Sequence, residues 1–356
     1  MKLSLQKAKS PLIIVGAGAN RKLIGKQLSN FINKTHIPFI STQMGKGVVD
    51  EGSDYYLGTT SLSGHDFVHG AIHAADLVLM IGHDINEKPP VLHHEGQTIA
   101  HINFYPAEID YVYRPNLEVV GDISNTLWQL NEQLEIQDHW DFTKFANFKK
   151  QQLAETLDQA NNTNYPIKPQ RLVSDLREVL AADSILSLDN GMYKLWISRN
   201  YPAYRQNSVL LDNALATMGA GLSAGMAAKI LKPESQVVVV AGDGGFLMNM
   251  ADLETAVRLK INIVIIIVCD KGYGMIKWKQ ESMGLPEYGL NFSNPDFVKL
   301  AESFGAVGYR IQNTGEFKPV LEAALNEPGV QILELPIDYN ENVKLTVKSL
   351  RERTNN

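Results

Sequence analysis

One cysteine, Cys269, occurs in 356 residues, so no intramolecular disulfide can staple this chain. No apolar run approaches the roughly 20 residues that a bilayer-spanning helix needs, and the opening MKLSLQKAKSPLIIVGAGA carries only a short one. Basic residues are not in excess: 33 Lys and Arg stand against 39 Asp and Glu, and the formal net charge is −6. With no basic stripe interleaved with aromatics, nonspecific nucleic-acid binding is disfavoured. Internal repeats and low-complexity tracts are missing as well. What remains is ordinary globular composition, 44% hydrophobic and 20% charged, at a length that suits two domains. The expectation is a cytoplasmic protein with neither membrane nor nucleic-acid partners.

The most informative segment is VVVVAGDGGFLMNMADLETAVRLKINIVIIIVCDKGYGM, residues 237–275. Val237 to Val240 and Ile263 to Val268 are continuous β-branched runs, the pattern of strands buried on both faces of a parallel sheet. Ala251 to Lys260 between them has helical periodicity, with Asn249 as its expected cap and Asp252 completing a capping-box-like pair. A right-handed strand-helix-strand unit sends both strands out at one carboxyl-terminal edge, where α/β sheets bind ligands. Asp243 and Asp270, 27 residues apart, then meet there. Two carboxylates and the main-chain carbonyl of Gly272 form a hard oxygen set suited to Mg2+ or Ca2+ and not to Zn2+. Gly242, Gly244 and Gly245 would let backbone N–H groups at the helix entrance approach a phosphate. The plainer reading makes Asp243 a simple helix cap. Cys269, in a buried strand just before Asp270, reads as an inert structural thiol.

This segment resembles the diphosphate-binding motif of thiamine diphosphate (ThDP) enzymes, and most closely that of acetolactate synthases, also called acetohydroxyacid synthases. The resemblance implies that Asp243, Asp270 and the Gly272 carbonyl hold Mg2+ against the cofactor diphosphate. An Asp at position 270 followed by KGYGM is more similar to the catabolic, flavin-independent synthases than to the biosynthetic ones. DNALATMG, residues 212–219, looks like the family segment whose bulky side chain bends the cofactor into a V; Met218 matches that side chain, and backbone atoms of Ala216 and Met218 match the groups that hold the pyrimidine edge. Read without the family, Met218 belongs to helix-packing core beside the small residues Ala214, Ala216, Gly219, Gly221, Ala224 and Gly225.

In SLDNGMYKLWISRNY, residues 187–201, Gly191 is the counterpart of a glycine whose turn touches the diphosphate. Where the family often has Ser, Gln or His next, this chain has Met192 and Tyr193. Tyr273, Gly274 and Met275 continue the implied cofactor site, with Met275 matching a methionine near the reacting carbons. Biosynthetic members tend to carry Trp nine residues past the metal-binding Asn; here that position is Lys279 and Trp278 precedes it, so acceptor specificity does not transfer.

The first half alternates in the same way. Strands are expected at Pro11 to Gly16, Pro38 to Thr42, within Ala75 to Gly82 and at Thr98 to Asn103, and a helix at Lys22 to Phe31. STQMGKGVVDE (41–51), ADLVLMIGHD (75–84) and NFYPAEID (103–110) resemble segments of the family's central domain. That domain binds flavin in some members; the family commonly has Asp where this chain has Asn103, so FAD is not expected. GAGAN, residues 16–20, is a poor dinucleotide fingerprint, because the third glycine would fall on Arg21. His65, His69 and His73 share a helical spacing, yet no carboxylate or cysteine partner is fixed beside them, and packed or solvated histidines are expected. A polar stretch with a helix at Phe142 to Ala160 leads through NNTNYPIKP to a helix at Gln170 to Leu180. The tail VKLTVKSLRERTNN is basic; two readings stand, a disordered tail or, as the family resemblance implies, one that folds over the cofactor site.

The fold class is therefore α/β, two doubly wound, mostly parallel-sheet domains: a central domain over residues 1–165 and a diphosphate-binding domain over 166–356. Complete family members also carry a pyrimidine-binding domain whose glutamate protonates the cofactor; none of Glu51, Glu87 or Glu95 stands in a comparable context. The resemblance implies a transferase that uses Mg2+ and ThDP to decarboxylate a 2-oxo acid such as pyruvate and passes the hydroxyethyl unit to a second one. A homodimer or tetramer is implied too, and this chain alone is expected to be inactive or slow. The alternatives are another ThDP-dependent decarboxylase, oxidase or lyase, or a noncatalytic fragment or subunit that needs a separate pyrimidine domain.

Overall fold

The computed structural model describes residues 1–21, 23–62, 66–84, 86–87, 96–110 and 113–345. Lys22, His65, Glu95 and the tail from residue 346, all named above, lie outside the described residues. Two compact units form among the described residues, one from Met1–Thr156 with Ser198–Asn207, the other from Leu157–Ile197 with residues 208–345.

The first unit is built on six strands: β1 (Pro11–Val15), β2 (Phe39–Thr42), β3 (Tyr56–Thr60), β4 (Leu77–Ile81), β5 (Thr98–Asn103) and β6 (Leu117–Val120). They pair in parallel in the order β3-β2-β1-β4-β5-β6, so the chain reverses direction across the sheet between β1 and β4. The strands that read as apolar runs, β1 and β4, are buried throughout. The edge strand β6 alternates half-buried and exposed, as one-sided cover dictates. The helix foreseen from Lys22 is described over Ile24–Thr35.

At the reversal point of this sheet Glu87, 2% exposed, accepts the Ala17 N–H at 2.7 Å and a short bond from the Thr42 hydroxyl. Glu51 pairs with Lys46 at 2.6 Å, accepts from Ser41 at 2.8 Å, and takes the Ala203 N–H at 2.9 Å. Helix Phe67–Ala74 buries His69 and exposes His73, so the two histidines sit in different surroundings. Asp66 caps that helix and pairs with Arg199, whose guanidinium carbon also lies 5.1 Å from the centre of the Phe67 ring.

The second unit carries β7 (Ile185–Leu188), β8 (Val209–Leu210), β9 (Val237–Gly242), β10 (Ile263–Cys269), β11 (Val307–Arg310) and β12 (Val330–Pro336). Its order is β11-β12-β10-β9-β7-β8, again all parallel, and the chain reverses between β7 and β9. β10 is buried at every residue, with β9 and β12 on either side, which explains its seven consecutive apolar residues Ile263–Cys269. Residues 157–166 belong here through bonds such as Tyr165 hydroxyl to the Ile311 carbonyl at 2.8 Å.

One local expectation is corrected. Asn249 does not cap the crossover helix: it ends a first helix, Asp243–Asn249, and the next, Asp252–Arg258, starts from Ala251 without a side-chain cap. The Asn249 amide is drawn away to the Gly219 carbonyl at 3.2 Å, to Ser223 at 2.7 Å and to the Asp252 carboxylate at 2.9 Å. A tertiary contact with the preceding helix outcompetes the local cap.

Candidate functional site

β9 and β10 lie side by side in parallel register, Gly242 opposite Val268. Asp243 and Asp270 therefore leave the sheet at the same carboxyl edge, next to its reversal point between β7 and β9. A cleft opens there. Gly191, Met218, Gly242, Asp243, Gly244, Gly245, Asp270, Gly272, Tyr273, Gly274 and Met275 line it, together with Asn190, Tyr193, Ile276 and Tyr339. Of the residues expected to hold the cofactor, Ala216, in an exposed segment, is not among those that line the cleft.

Each wall has a local cause. Asp243 is buried, with one carboxylate oxygen on the Gly244 N–H at 2.9 Å and the other taking the Lys271 N–H and the Asn294 amide, both at 2.8 Å. Lys271 adopts φ +57, a left-handed backbone that costs a non-glycine residue about 1–2 kcal/mol. The segment it opens is pinned by Tyr273 N–H to the Leu290 carbonyl and Phe292 N–H to the Lys271 carbonyl, both at 3.1 Å. That pairing does not use the Gly272 carbonyl.

Met218 is placed by the turn after β7. The Asp189 carboxylate, 1% exposed, accepts the Gly219 N–H at 2.8 and 3.0 Å, and Asn190 donates to the Thr217 carbonyl at 2.8 Å. Lys194 braces the same turn through Asn190 at 2.7 Å and the Asp212 carbonyl. Gly219, at φ +92, makes the left-handed entry into helix Ala220–Leu231. Gly245 is required by packing: a Cβ there would lie 2.1 Å from the Asp189 carboxylate. The small residues of helix Ala220–Leu231 do serve close approach, Gly225 against Val239 of β9, while half-buried Met218 faces the cleft.

Asp189 and Asn294 were not foreseen. Asp189 ends a strand at the same edge as the two noted aspartates, a signal open to the same reasoning; Asn294 reaches Asp243 from 51 residues downstream, and no local pattern announces it.

Electrostatics set the two aspartates apart from their neighbours. Burial raises the Asp243 carboxyl above its usual range against the pull of its hydrogen bonds. Asp270 is pushed up to about 7, first by burial and then by the charge of Asp243. Lys277 pulls only weakly on it and is itself paired with Glu287 at 2.9 Å. Two coupled carboxylates without a committed cationic partner form a site that a divalent cation would relieve. Among the described residues no group of three or more His, Cys, Asp or Glu side chains converges, so further ligands would be main-chain or ligand oxygens. Cys269 is buried and its thiol pushed well up by burial, which keeps it protonated and inert.

Residues 189–335 match the C-terminal TPP-binding domain of thiamine pyrophosphate enzymes, and residues 3–130 match the central domain of those enzymes. The chain belongs to that family. It is 31% identical over 354 residues to an acetolactate synthase of Bacillus subtilis, covering 97% of this chain and 62% of the relative. It is 30% identical to a catabolic acetolactate synthase of Raoultella terrigena, covering 94% and 61%, and 31% identical to a probable acetolactate synthase large subunit of Methanocaldococcus jannaschii, covering 95% and 59%. The chain thus spans about three-fifths of the length of these relatives. Among the described residues no helix is long and apolar enough to cross a membrane.

Proposed function

We propose that this chain holds Mg2+ and the diphosphate of ThDP for an acetolactate synthase-type reaction, in which pyruvate loses CO2 and its two-carbon unit joins a second 2-oxo acid. The observation that carries this reading is the pair of buried Asp243 and half-buried Asp270, side by side at the sheet's carboxyl edge without a committed cationic partner. When bound, the cofactor supplies an electron sink for decarboxylation. Asp243, Asp270 and the Gly272 carbonyl are the oxygen donors for Mg2+, and the Gly244–Gly245 helix start and Gly191 are the backbone cradle for phosphate. Met218 is the wall on which the ring system rests, and Met275 lies where a substrate would approach. The first unit serves as the central domain and the second as the diphosphate-binding domain of a cytoplasmic homodimer or tetramer.

Glu87 supports leaving flavin out of this reading, since its carboxylate already takes the Ala17 N–H at the end of β1, where a phosphate would be received. Glu51 and Glu87 are both committed to partners in the first unit. Neither of these two is free to exchange a proton with the cofactor's pyrimidine ring, which supports the reading that the chain by itself turns over slowly or not at all.

The test is a product assay of the protein together with a pyrimidine-binding domain, given pyruvate, Mg2+ and ThDP. Acetolactate formed with CO2 is expected. CO2 without acetolactate would assign a decarboxylase, oxidase or lyase instead.

A further inference from the structure

Tyr193 is 2% exposed and lines the cleft, yet its hydroxyl has no hydrogen-bond partner. Its ring stands over two glycines. A Cβ on Gly191 would lie 2.5 Å from Cε1 and 3.1 Å from Cζ, and one on Gly242 would lie 3.1 Å from Cε1 and 3.9 Å from the hydroxyl oxygen. The phenol thus bridges the turn after β7 and the turn after β9, with its hydroxyl beside the residue that precedes Asp243.

A buried hydroxyl without a partner costs about 1–3 kcal/mol, and phenylalanine would keep the ring and remove the cost. None of the three neighbouring carboxylates takes the proton: Asp189 is engaged by Gly219, Asp243 by Gly244, Lys271 and Asn294, and Asp270, though in the same cleft, makes no hydrogen bond to the hydroxyl. What is missing is an acceptor brought by a ligand. Met192, directly after Gly191, is 2% exposed and has no donor to offer, so the polar contact at this turn falls to the next residue.

We propose that the Tyr193 hydroxyl donates a hydrogen bond to a diphosphate oxygen of the bound ligand and so helps select a diphosphate at this end of the cleft. This rests on the reading under Proposed function and deepens it. Hydrogen bonds to charged acceptors are the stronger kind, which sets the size of the expected effect.

The test compares the unaltered chain with Tyr193→Phe by calorimetric titration of ThDP in the presence of Mg2+, and by thermal unfolding without ligand. The expected result is about ten-fold weaker ThDP binding together with an unfolding midpoint, ligand-free, that is unchanged or higher. Equal ThDP affinity in the two proteins overturns the role of Tyr193 and leaves the site reading standing. A lowered ligand-free midpoint overturns it too, because the hydroxyl would then serve the fold. Failure of the unaltered chain to bind ThDP removes the site reading, and this proposal with it.

Discussion

The indole N–H of Trp196 donates to the side-chain oxygen of Asn342 at 2.8 Å, and that of Trp278 donates to the main-chain carbonyl of the same residue at 3.2 Å. Trp196 lies on helix Met192–Asn200 and Trp278 on helix Gly274–Ser282; the first residues of both helices line the cleft. Asn342, 7% exposed, sits in the 3-10 turn Tyr339–Leu345 that follows β12 and brings Tyr339 to the cleft. One residue fastens three walls.

Replacing Asn342 by Leu leaves the Trp196 indole N–H buried without its acceptor. A loss of about 1–3 kcal/mol in stability is expected, with an altered tryptophan emission and weaker ThDP binding, all read on the same protein by fluorescence and thermal unfolding. Unchanged emission and midpoint would mean that the turn is held by its ion pairs alone, Lys168 with Asp338 and Lys344 with Asp158 and Glu341.

Glu87 carries a pH dependence of known sign. Its carboxyl is pushed up to about 7, chiefly by burial, from an ordinary value near 4.3. A raised folded-state value means that its contribution is fully present below about pH 4.3 and is lost as pH rises through 7. Glu87→Gln copies the protonated form, accepting from Ala17 and donating to Thr42. It should raise the unfolding midpoint at pH 8 by several degrees, an effect on the order of 3 kcal/mol, and change it little at pH 4. Equal shifts at both pH values would show that ionisation of Glu87 is not the cause.

How much of this was legible depended on where the physics is local. β9 and β10 are β-branched runs flanked by glycine and aspartate, and burial on both faces writes itself into such runs. Strands β1, β2, β4 and β5 were readable for the same reason. β3 was not, because Gly58 at φ +130 interrupts a short polar-rich strand, and β8, with two residues, leaves no periodic trace. In the cleft, the residues placed by strand ends and glycine turns were found. Those placed by tertiary reach, Asn294 on Asp243 and Tyr339 after β12, were not.

The pairing of Asp243 with Asp270 as a Mg2+-diphosphate anchor is tested most directly by calorimetric titration of ThDP with and without Mg2+, on the unaltered chain and on Asp243→Ala and Asp270→Ala. The expected result is Mg2+-dependent binding by the unaltered chain, with the Mg2+ dependence lost and affinity lowered at least ten-fold in each variant. Equal affinity in all three proteins, with or without Mg2+, contradicts it.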